Sequence, residues 1–244
     1  EADCTTAIAA ADAKKQKAEA KAEADAATAI AQAEAQKLLA DAINIPVAFG
    51  HDVRTAAVAE MRNGAAKGAN NAIFIPVGTG IAAALIIDGE IRSAEGFAGE
   101  IGHVNVNGKY PCVCGKTGCL EAASSTLAIS KAYEGLRGKA GVTTEEIYKL
   151  VIAGDPIAQQ VWDDATSAMA RACEMLITIL APEVIVFGGG LSNAGETFLK
   201  PIRDYLDSSL TFQRKPKLEI AHYKSKAGTI GCAMLAFDLL KVGK

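Results

Sequence analysis

The chain has 244 residues, of which 50% are hydrophobic, so it can fill the core of one large domain or two small ones. Its formal net charge is −3, which gives no basic field to attract a phosphate backbone, and we expect no nucleic-acid partner. The sequence has no run of about 18 apolar residues and does not start like a signal peptide, so we expect a cytoplasmic protein without membrane association.

Residues 1–44 differ in composition from the rest of the chain, because they are rich in Ala, Lys, Glu, Asp and Gln and contain neither Gly nor Pro. This composition favours helices. The segment has few large apolar residues with which to anchor itself, and a short set of them resembles a packing stripe: Ile30, Leu38, Leu39 and Ile43. We predict a helix over 28–43, a loosely attached helical segment over 1–27, and a separate domain over 45–244.

From residue 45 onward, short apolar runs alternate with amphipathic stretches, a texture typical of α/β folds. The predicted strands cover residues 45–49, 72–77, 82–87, 90–93, 184–187 and 217–222. The predicted helices cover residues 53–62, 124–136, 143–153, 156–180 and 228–241. Asp88-Gly89 separates two of these strands and predicts a two-residue hairpin turn, so we expect strands to pair locally as well as across helices.

The most specific local pattern is a cysteine cluster, Cys112-x-Cys114-x4-Cys119, with His103 nine residues before it. Zinc in proteins prefers four soft or borderline ligands in a tetrahedron, and short cysteine spacings place such ligands on one turn. Three thiolates and one imidazole fill all four positions, so we predict a structural zinc site without an open catalytic position. The alternative is a set of unrelated buried thiols and a core histidine.

Two runs of sequence around this cluster, Gly99-Glu100-Ile101-Gly102-His103 and the segment from Cys112 to Glu121, resemble the paired signature of the ROK family (repressor, open reading frame, kinase). The resemblance covers roughly residues 45–243. It implies an actin-like ATPase (ribonuclease-H-like) α/β fold with a structural zinc loop. It also implies transfer of phosphate from ATP, with Mg²⁺, to a hexose or N-acyl hexosamine, most typically glucose to glucose 6-phosphate. We expect a homo-oligomer, a dimer or a tetramer.

The same resemblance implies that Glu100, His103 and Glu121 bind sugar hydroxyls. Carboxylates and an imidazole suit a polyol, because each forms hydrogen bonds that an apolar pocket cannot offer. Considered alone, Glu100 and Glu121 would be interpreted as solvated surface charges. Their places beside the cysteine cluster favour the binding role.

Asp52 matches the catalytic base of the family and a sugar-binding position, and His51 beside it also falls in the sugar site. The family usually has Asn where this chain has His51, which affects sugar affinity but not the base. Considered alone, an Asp at the predicted start of a helix would be interpreted as an N-cap.

Two glycine-rich turns follow predicted strands. Gly78-Thr79-Gly80 resembles the second phosphate motif of the family, although Ala82, Ala83 and Ala84 replace the glycines that usually follow. Gly188-Gly189-Gly190 resembles the loop on the adenosine side, where absent side chains let a nucleotide lie against backbone. The alternative for the second run is a plain strand-to-helix turn.

ROK kinases open with an Asp-x-Gly-x-Thr phosphate motif, which does not occur before Asp52. We therefore expect weak sugar binding and slow turnover from this chain, because an incomplete cleft admits water and lacks a partner for Mg²⁺. Two alternatives stay open. One is a sugar-sensing repressor, although residues 1–44 lack the pattern of a helix-turn-helix module, and the other is an inactive, zinc-stabilised fragment.

Overall fold

The structure is a computed structural model that describes residues 34–138 and 140–242. Two compact units divide the chain: residues 50–234 form one, and the described residues of 34–49 and 235–242 belong to the other. In the second unit, residues 34–43 are helical (α1), in agreement with that part of the predicted helix over 28–43. The prediction for residues 1–27 lies outside the described residues.

The predicted strand over 45–49 is wrong, because residues 46–50 have no regular secondary structure. Pro46 has no amide hydrogen with which to join a β-ladder. The carbonyl of Val47 accepts a hydrogen bond from Gln36 Nε2 at 2.6 Å, so a side chain of α1 binds this segment where a neighbouring strand would otherwise do so.

The unit of residues 50–234 is built on a five-stranded mixed sheet with the order β3-β2-β1-β4-β5. β1 pairs in parallel with β4, which pairs in parallel with β5, whereas β1, β2 and β3 form antiparallel pairs. The strands are β1 (Ala72–Pro76), β2 (Ala84–Ile87), β3 (Glu90–Arg92), β4 (Val184–Gly188) and β5 (Lys217–Ile220). The α/β prediction is confirmed, and these strands end within two residues of their predicted limits.

The predicted hairpin joins β2 to β3 through Asp88 and Gly89. Both residues have positive φ values, 56° and 77°. A two-residue turn of this hand matches the right-handed twist of the strands, and Gly adopts the required conformation without steric cost.

The two faces of the sheet pack against different helices. Ala72, Phe74 and Val186 lie in an apolar cluster with Ala57 of α2 (Asp52–Asn63). The alternate residues of β1 and β4 point the other way and join the larger core: Ile73, Ile75, Ile185 and Phe187. Side chains of a strand alternate between the two faces of the sheet, and both faces are covered here. Both strands therefore consist almost entirely of buried residues.

The remaining α-helices follow β3 in the chain. They are α3 (Glu121–Ser124), α4 (Thr126–Arg137), α5 (Thr144–Ile152), α6 (Pro156–Leu180), α7 (Glu196–Ser209) and α8 (Ala227–Val242). Among the described residues, every helix is too short or too polar to cross a membrane.

Sequence reasoning missed α7, whose interior contains Pro201. Proline cannot donate to the carbonyl four residues earlier and normally argues against a helix. Here that carbonyl belongs to Thr197, and the indole Nε1 of the buried Trp162 donates to it at 3.0 Å. The neighbouring helix therefore supplies the hydrogen bond that Pro201 cannot make.

Glu60 is a fully buried carboxylate on α2, with 0% exposure. It accepts hydrogen bonds from the backbone N–H groups of Ala65, His222 and Tyr223 at 2.8, 3.0 and 2.9 Å. A buried charge is tolerated only when hydrogen bonds satisfy it. Glu60 therefore fastens the end of α2 to the segment that follows β5.

We expect Glu60→Ala to lower the free energy of unfolding by roughly 3 kcal/mol or more, because it removes a buried carboxylate together with three hydrogen bonds, and a hydrogen bond to a charged group contributes about 1.5–3 kcal/mol. Urea unfolding followed by circular dichroism measures the change. The matched control is Glu90→Ala, where a 72% exposed carboxylate pairs with Arg92 at the surface and should contribute less than about 1 kcal/mol. Equal effects of the two substitutions would show that the Glu60 hydrogen bonds do not stabilise the fold.

Candidate functional site

His103, Cys112, Cys114 and Cys119 converge in the segment between β3 and α3, and we call residues 103–119 the metal loop. Their ligand atoms all lie within 4.8 Å of one another. Cys112 Sγ is 3.6 Å from His103 Nδ1, and Cys114 Sγ is 3.6 Å from Cys119 Sγ. Tetrahedral zinc, with Zn–S near 2.3 Å and Zn–N near 2.0–2.1 Å, separates neighbouring ligand atoms by about 3.6–3.8 Å. The cluster is therefore a candidate metal site whose spacing fits zinc.

Backbone hydrogen bonds shape the metal loop. Cys112 N–H donates to the carbonyl of Lys116 at 2.7 Å, and Gly115 N–H donates back to Cys112 at 2.9 Å. Lys116 Nζ also donates to the carbonyl of His103 at 2.9 Å. These bonds form a tight turn at Cys112 and Lys116 and tie that turn to His103, the first ligand.

The thiols of the metal loop have different environments. A backbone hydrogen bond from Lys116 lowers the pKa of the Cys114 thiol, whereas burial raises the pKa of the Cys119 thiol to about 12. A metal ion binds thiolates and would favour ionisation of both through its positive charge. Of these two thiols, Cys119 therefore depends more on the positive charge of a metal ion for its ionisation.

The metal loop is fastened to α6 by two charged side chains. Arg171 Nε of α6 donates to the carbonyl of Val106 at 2.7 Å. Lys109 Nζ lies 2.9 Å from Asp164 Oδ2, and this hydrogen bond raises the pKa of Lys109. The helix thus holds the metal loop at Val106 and Lys109.

Glu121, two residues after Cys119, contacts the turn that follows β1. We call residues 78–81 the first glycine turn. Ile81 N–H donates to Glu121 Oε2 at 2.9 Å. A Cβ atom at Gly80 would lie 2.9 Å from the same oxygen, so a side chain at this position would displace the carboxylate from the turn. The structure therefore brings the predicted Glu121 together with the predicted Gly78-Thr79-Gly80, of which Thr79 is exposed.

The second glycine turn, Gly188-Gly189-Gly190, lies directly beside the first. In the parallel register Gly188 is opposite Pro76, and its carbonyl accepts from Val77 N–H at 2.9 Å. Gly189 has a φ of 75°, and a Cβ atom there would lie 2.4 Å from the Val77 carbonyl oxygen. Two glycine turns therefore meet at the carboxyl ends of two parallel strands, where open α/β sheets bind their ligands.

The other predicted residues lie at helix starts. Glu100 is exposed and immediately precedes the short 3-10 helix that ends at His103. His51 is the N-cap of α2 and Asp52 its first residue. Their side chains lie 3.1 Å apart, between His51 Nδ1 and Asp52 Oδ1, and the Asp52 side chain is 91% exposed. The Asp52 carboxylate is thus accessible to solvent and to a ligand.

Sequence reasoning missed a cleft of about 520 Å³ beside Gly190. Its walls come from three helices and the turn after β4: Thr126, Thr144, Glu145, Tyr148, Lys149, Trp162, Gly190, Leu191, Asn193 and Ala194. This volume is in the range of small-molecule sites. The glycine run was the local signal for one edge of this cleft, but the sequence did not indicate that three helices would wall the space beside it.

Comparisons with known proteins identify one family. The model of the ROK family matches residues 4–238. A glucokinase from Halalkalibacterium halodurans is 38% identical over 186 residues, which is 70% of this chain and 56% of that protein. An N-acetylgalactosamine kinase from Shewanella sp. is 29% identical over 214 residues, 82% of this chain and 68% of that protein. The chain thus spans little more than half the length of the glucokinase.

A similar solved structure is that of a ROK family glucokinase from Streptomyces griseus in complex with glucose and AMPPNP. It has a TM-score of 0.71 and 27% sequence identity, and the match covers 83% of this chain and 72% of that one. The order of strands and helices described above is therefore shared with a protein crystallised with a sugar and an ATP analogue.

We expect the protein, purified without chelators, to carry about one zinc ion per chain, because the four side chains fill a tetrahedral shell. Elemental analysis of desalted protein measures the ratio. Cys114→Ser should reduce it well below stoichiometric and lower the melting temperature. The control is Cys232→Ser on α8, an exposed thiol outside the cluster that should leave both values unchanged. Stoichiometric zinc in Cys114→Ser would remove this residue from the ligand set.

Proposed function

Since the chain belongs to the ROK family and has the family's actin-like ATPase fold, we propose that residues 45–244 form the nucleotide- and sugar-binding domain of a sugar kinase. The reaction is transfer of the γ-phosphoryl group of ATP to a hydroxyl of a hexose or an N-acyl hexosamine. One observation carries the proposal: the two glycine turns lie side by side at the ends of β1 and β4, and Glu121 touches one of them.

The nucleotide is assigned to the two turns and the cleft beside them. Backbone N–H groups of a glycine turn can surround phosphate oxygens closely, because no side chain intervenes. The cleft beside Gly190 is large enough for a purine nucleoside and is walled by aromatic and aliphatic side chains such as Tyr148 and Leu191. Mg²⁺ accompanying ATP neutralises charge on the phosphates.

The sugar is assigned to His51, Asp52, Glu100, His103 and Glu121. The carboxylates accept hydrogen bonds from hydroxyl groups, which gives a polyol more directional contacts than an apolar pocket can. Glucose is the leading substrate because the similar protein from Halalkalibacterium halodurans is a glucokinase. The similar N-acetylgalactosamine kinase keeps hexosamines among the candidates.

Asp52 is assigned the role of general base. Its carboxylate accepts the proton of the attacking hydroxyl, while that oxygen bonds to the γ-phosphorus and the bond from this phosphorus to the oxygen of ADP breaks. The exposed position at the start of α2 supports this role, since a base must reach its substrate. The adjacent His51 is placed to hydrogen-bond the same carboxylate.

Zinc is assigned a structural role in the metal loop. The donor set of His103, Cys112, Cys114 and Cys119 fills a tetrahedral shell, and its spacing fits the ion. These four residues would hold the ion, which would fix the position of the loop, and the chain continues from Cys119 to Glu121. The metal would thereby hold both His103 and Glu121 in place for the sugar.

A coupled assay of ADP formation across glucose, mannose, N-acetylglucosamine, N-acetylgalactosamine and N-acetylmannosamine tests the function. We expect ADP formation that depends on added sugar and is fastest with glucose. Sugar binding without ADP formation would favour the sugar-sensing alternative. The absence of both binding and turnover with all of these sugars would contradict the proposal.

Asp52→Asn should lower kcat by about 10²–10⁴ while sugar affinity changes little, because an amide keeps the shape of the carboxylate but cannot take a proton. Steady-state kinetics and calorimetric sugar binding measure the two effects. Asp204→Asn, a surface substitution on α7, serves as the control. Turnover close to that of the parent would show that Asp52 is not the general base and only lies at the start of α2.

A further inference from the structure

The Glu121 carboxylate makes a contact that sugar binding alone does not require. Oε2 accepts a hydrogen bond of 2.9 Å from the backbone N–H of Ile81, the last residue of the first glycine turn. The absence of a side chain at Gly80 makes room for this oxygen. One oxygen of the carboxylate therefore faces the turn, while Oε1 is left to meet a ligand.

The helical segment that begins at Glu121 holds the same turn at its other end. Thr126 N–H donates to the carbonyl of Gly78 at 2.8 Å. Gly78 and Ile81 are thus both bonded to residues 121–126, so the turn is bracketed by hydrogen bonds at its first and last residues. The Glu121 bond is the part of this bracket that comes from a side chain.

The segment 121–126 is itself firmly anchored. Ser124 is 0% exposed, and its Oγ donates to the carbonyl of Ala165 in α6 at 2.7 Å. Just before Glu121, Leu120 is also 0% exposed, and its N–H donates to the carbonyl of Val104, the residue after the metal ligand His103. The metal loop, Glu121 and the first glycine turn therefore form one continuous, hydrogen-bonded unit.

We propose that Glu121 is a positioning residue for the first glycine turn, and that this single carboxylate links the sugar site to the nucleotide site. Oε2 fixes the turn in the conformation that receives phosphate, and Oε1 receives the sugar hydroxyl. A sugar that orders Glu121 thereby orders the turn and strengthens nucleotide binding. Thermodynamic linkage then requires a bound nucleotide to strengthen sugar binding by the same factor. The nucleotide and sugar parts of this inference rest on the function proposed above.

Two substitutions separate positioning from sugar contact. In Glu121→Gln the amide oxygen can still accept from Ile81 N–H, but the other atom becomes a donor and no longer accepts from a hydroxyl. Glu121→Ala removes both interactions. A residue that only touched sugar would leave the turn intact in either variant.

Hydrogen exchange of the Ile81 amide, measured by NMR in the absence of ligands, tests the positioning directly. We expect Ile81 to be protected in the parent and in Glu121→Gln, and to exchange about tenfold faster or more in Glu121→Ala, as loss of a hydrogen bond to a charged group predicts. The β4 amides and the zinc content of each variant serve as internal references for an intact fold. Unchanged Ile81 exchange in a folded Glu121→Ala would overturn the proposal.

Calorimetric titration with AMPPNP, without sugar, tests the functional consequence. We expect Glu121→Ala to weaken AMPPNP binding by about tenfold and Glu121→Gln to stay within about threefold of the parent, while both lose glucose affinity. Equal losses of AMPPNP affinity in the two variants, or no loss in either, would overturn the proposal. If the parent binds neither AMPPNP nor glucose, the proposed function fails, and the exchange of Ile81 still decides whether Glu121 positions the turn.

Discussion

The parallel pairing of β1 with β4 is the constraint on which the rest of the larger unit depends. The two strands are far apart in sequence, and their register places Pro76 opposite Gly188. Parallel strands cannot be joined by a tight turn, so the chain between them must form a long crossover. That crossover contains the β2–β3 hairpin, the metal loop and α3 to α6. The pairing thereby aligns both glycine turns at one edge and brings the metal loop to that edge.

The long helix α6 keeps this crossover in place. Its Ala165 carbonyl accepts from Ser124, its Arg171 donates to Val106 of the metal loop, and its Trp162 donates to Thr197 of α7. In each case a side chain binds a backbone carbonyl of another element, which fixes main chain and not only side chains. Substitutions in α6 should therefore disturb the site without touching a ligand, because the metal loop and α3 both depend on that helix for their position.

Most of the regular structure follows from local pattern, and the exceptions have specific physical causes. The central strands β1 and β4 are short apolar runs in the sequence, because burial on both faces leaves no polar positions, whereas β3 and β5 at the sheet's edges alternate exposed polar residues with apolar ones. The run at 45–49 has the same pattern but no ladder, and Pro46 removes one of the donors that a ladder needs. α7 was missed for the opposite reason, since Pro201 argues against a helix, and only Trp162 of another helix compensates for it.

The sequence by itself determined the α/β class and identified the candidate metal ligands, because His103, Cys112, Cys114 and Cys119 lie within one short segment and their spacing already limits how they can be arranged. It also identified Glu121 and both glycine turns as candidates, through resemblance to a family. Only the tertiary structure decided that Glu121 binds Ile81, and that α4, α5 and α6 enclose a cleft beside Gly190. The Glu121–Ile81 contact joins residues 40 positions apart, and the cleft is lined by residues from three separate helices and the turn after β4. The packing of helices against the sheet, not any local pattern, brings such residues together.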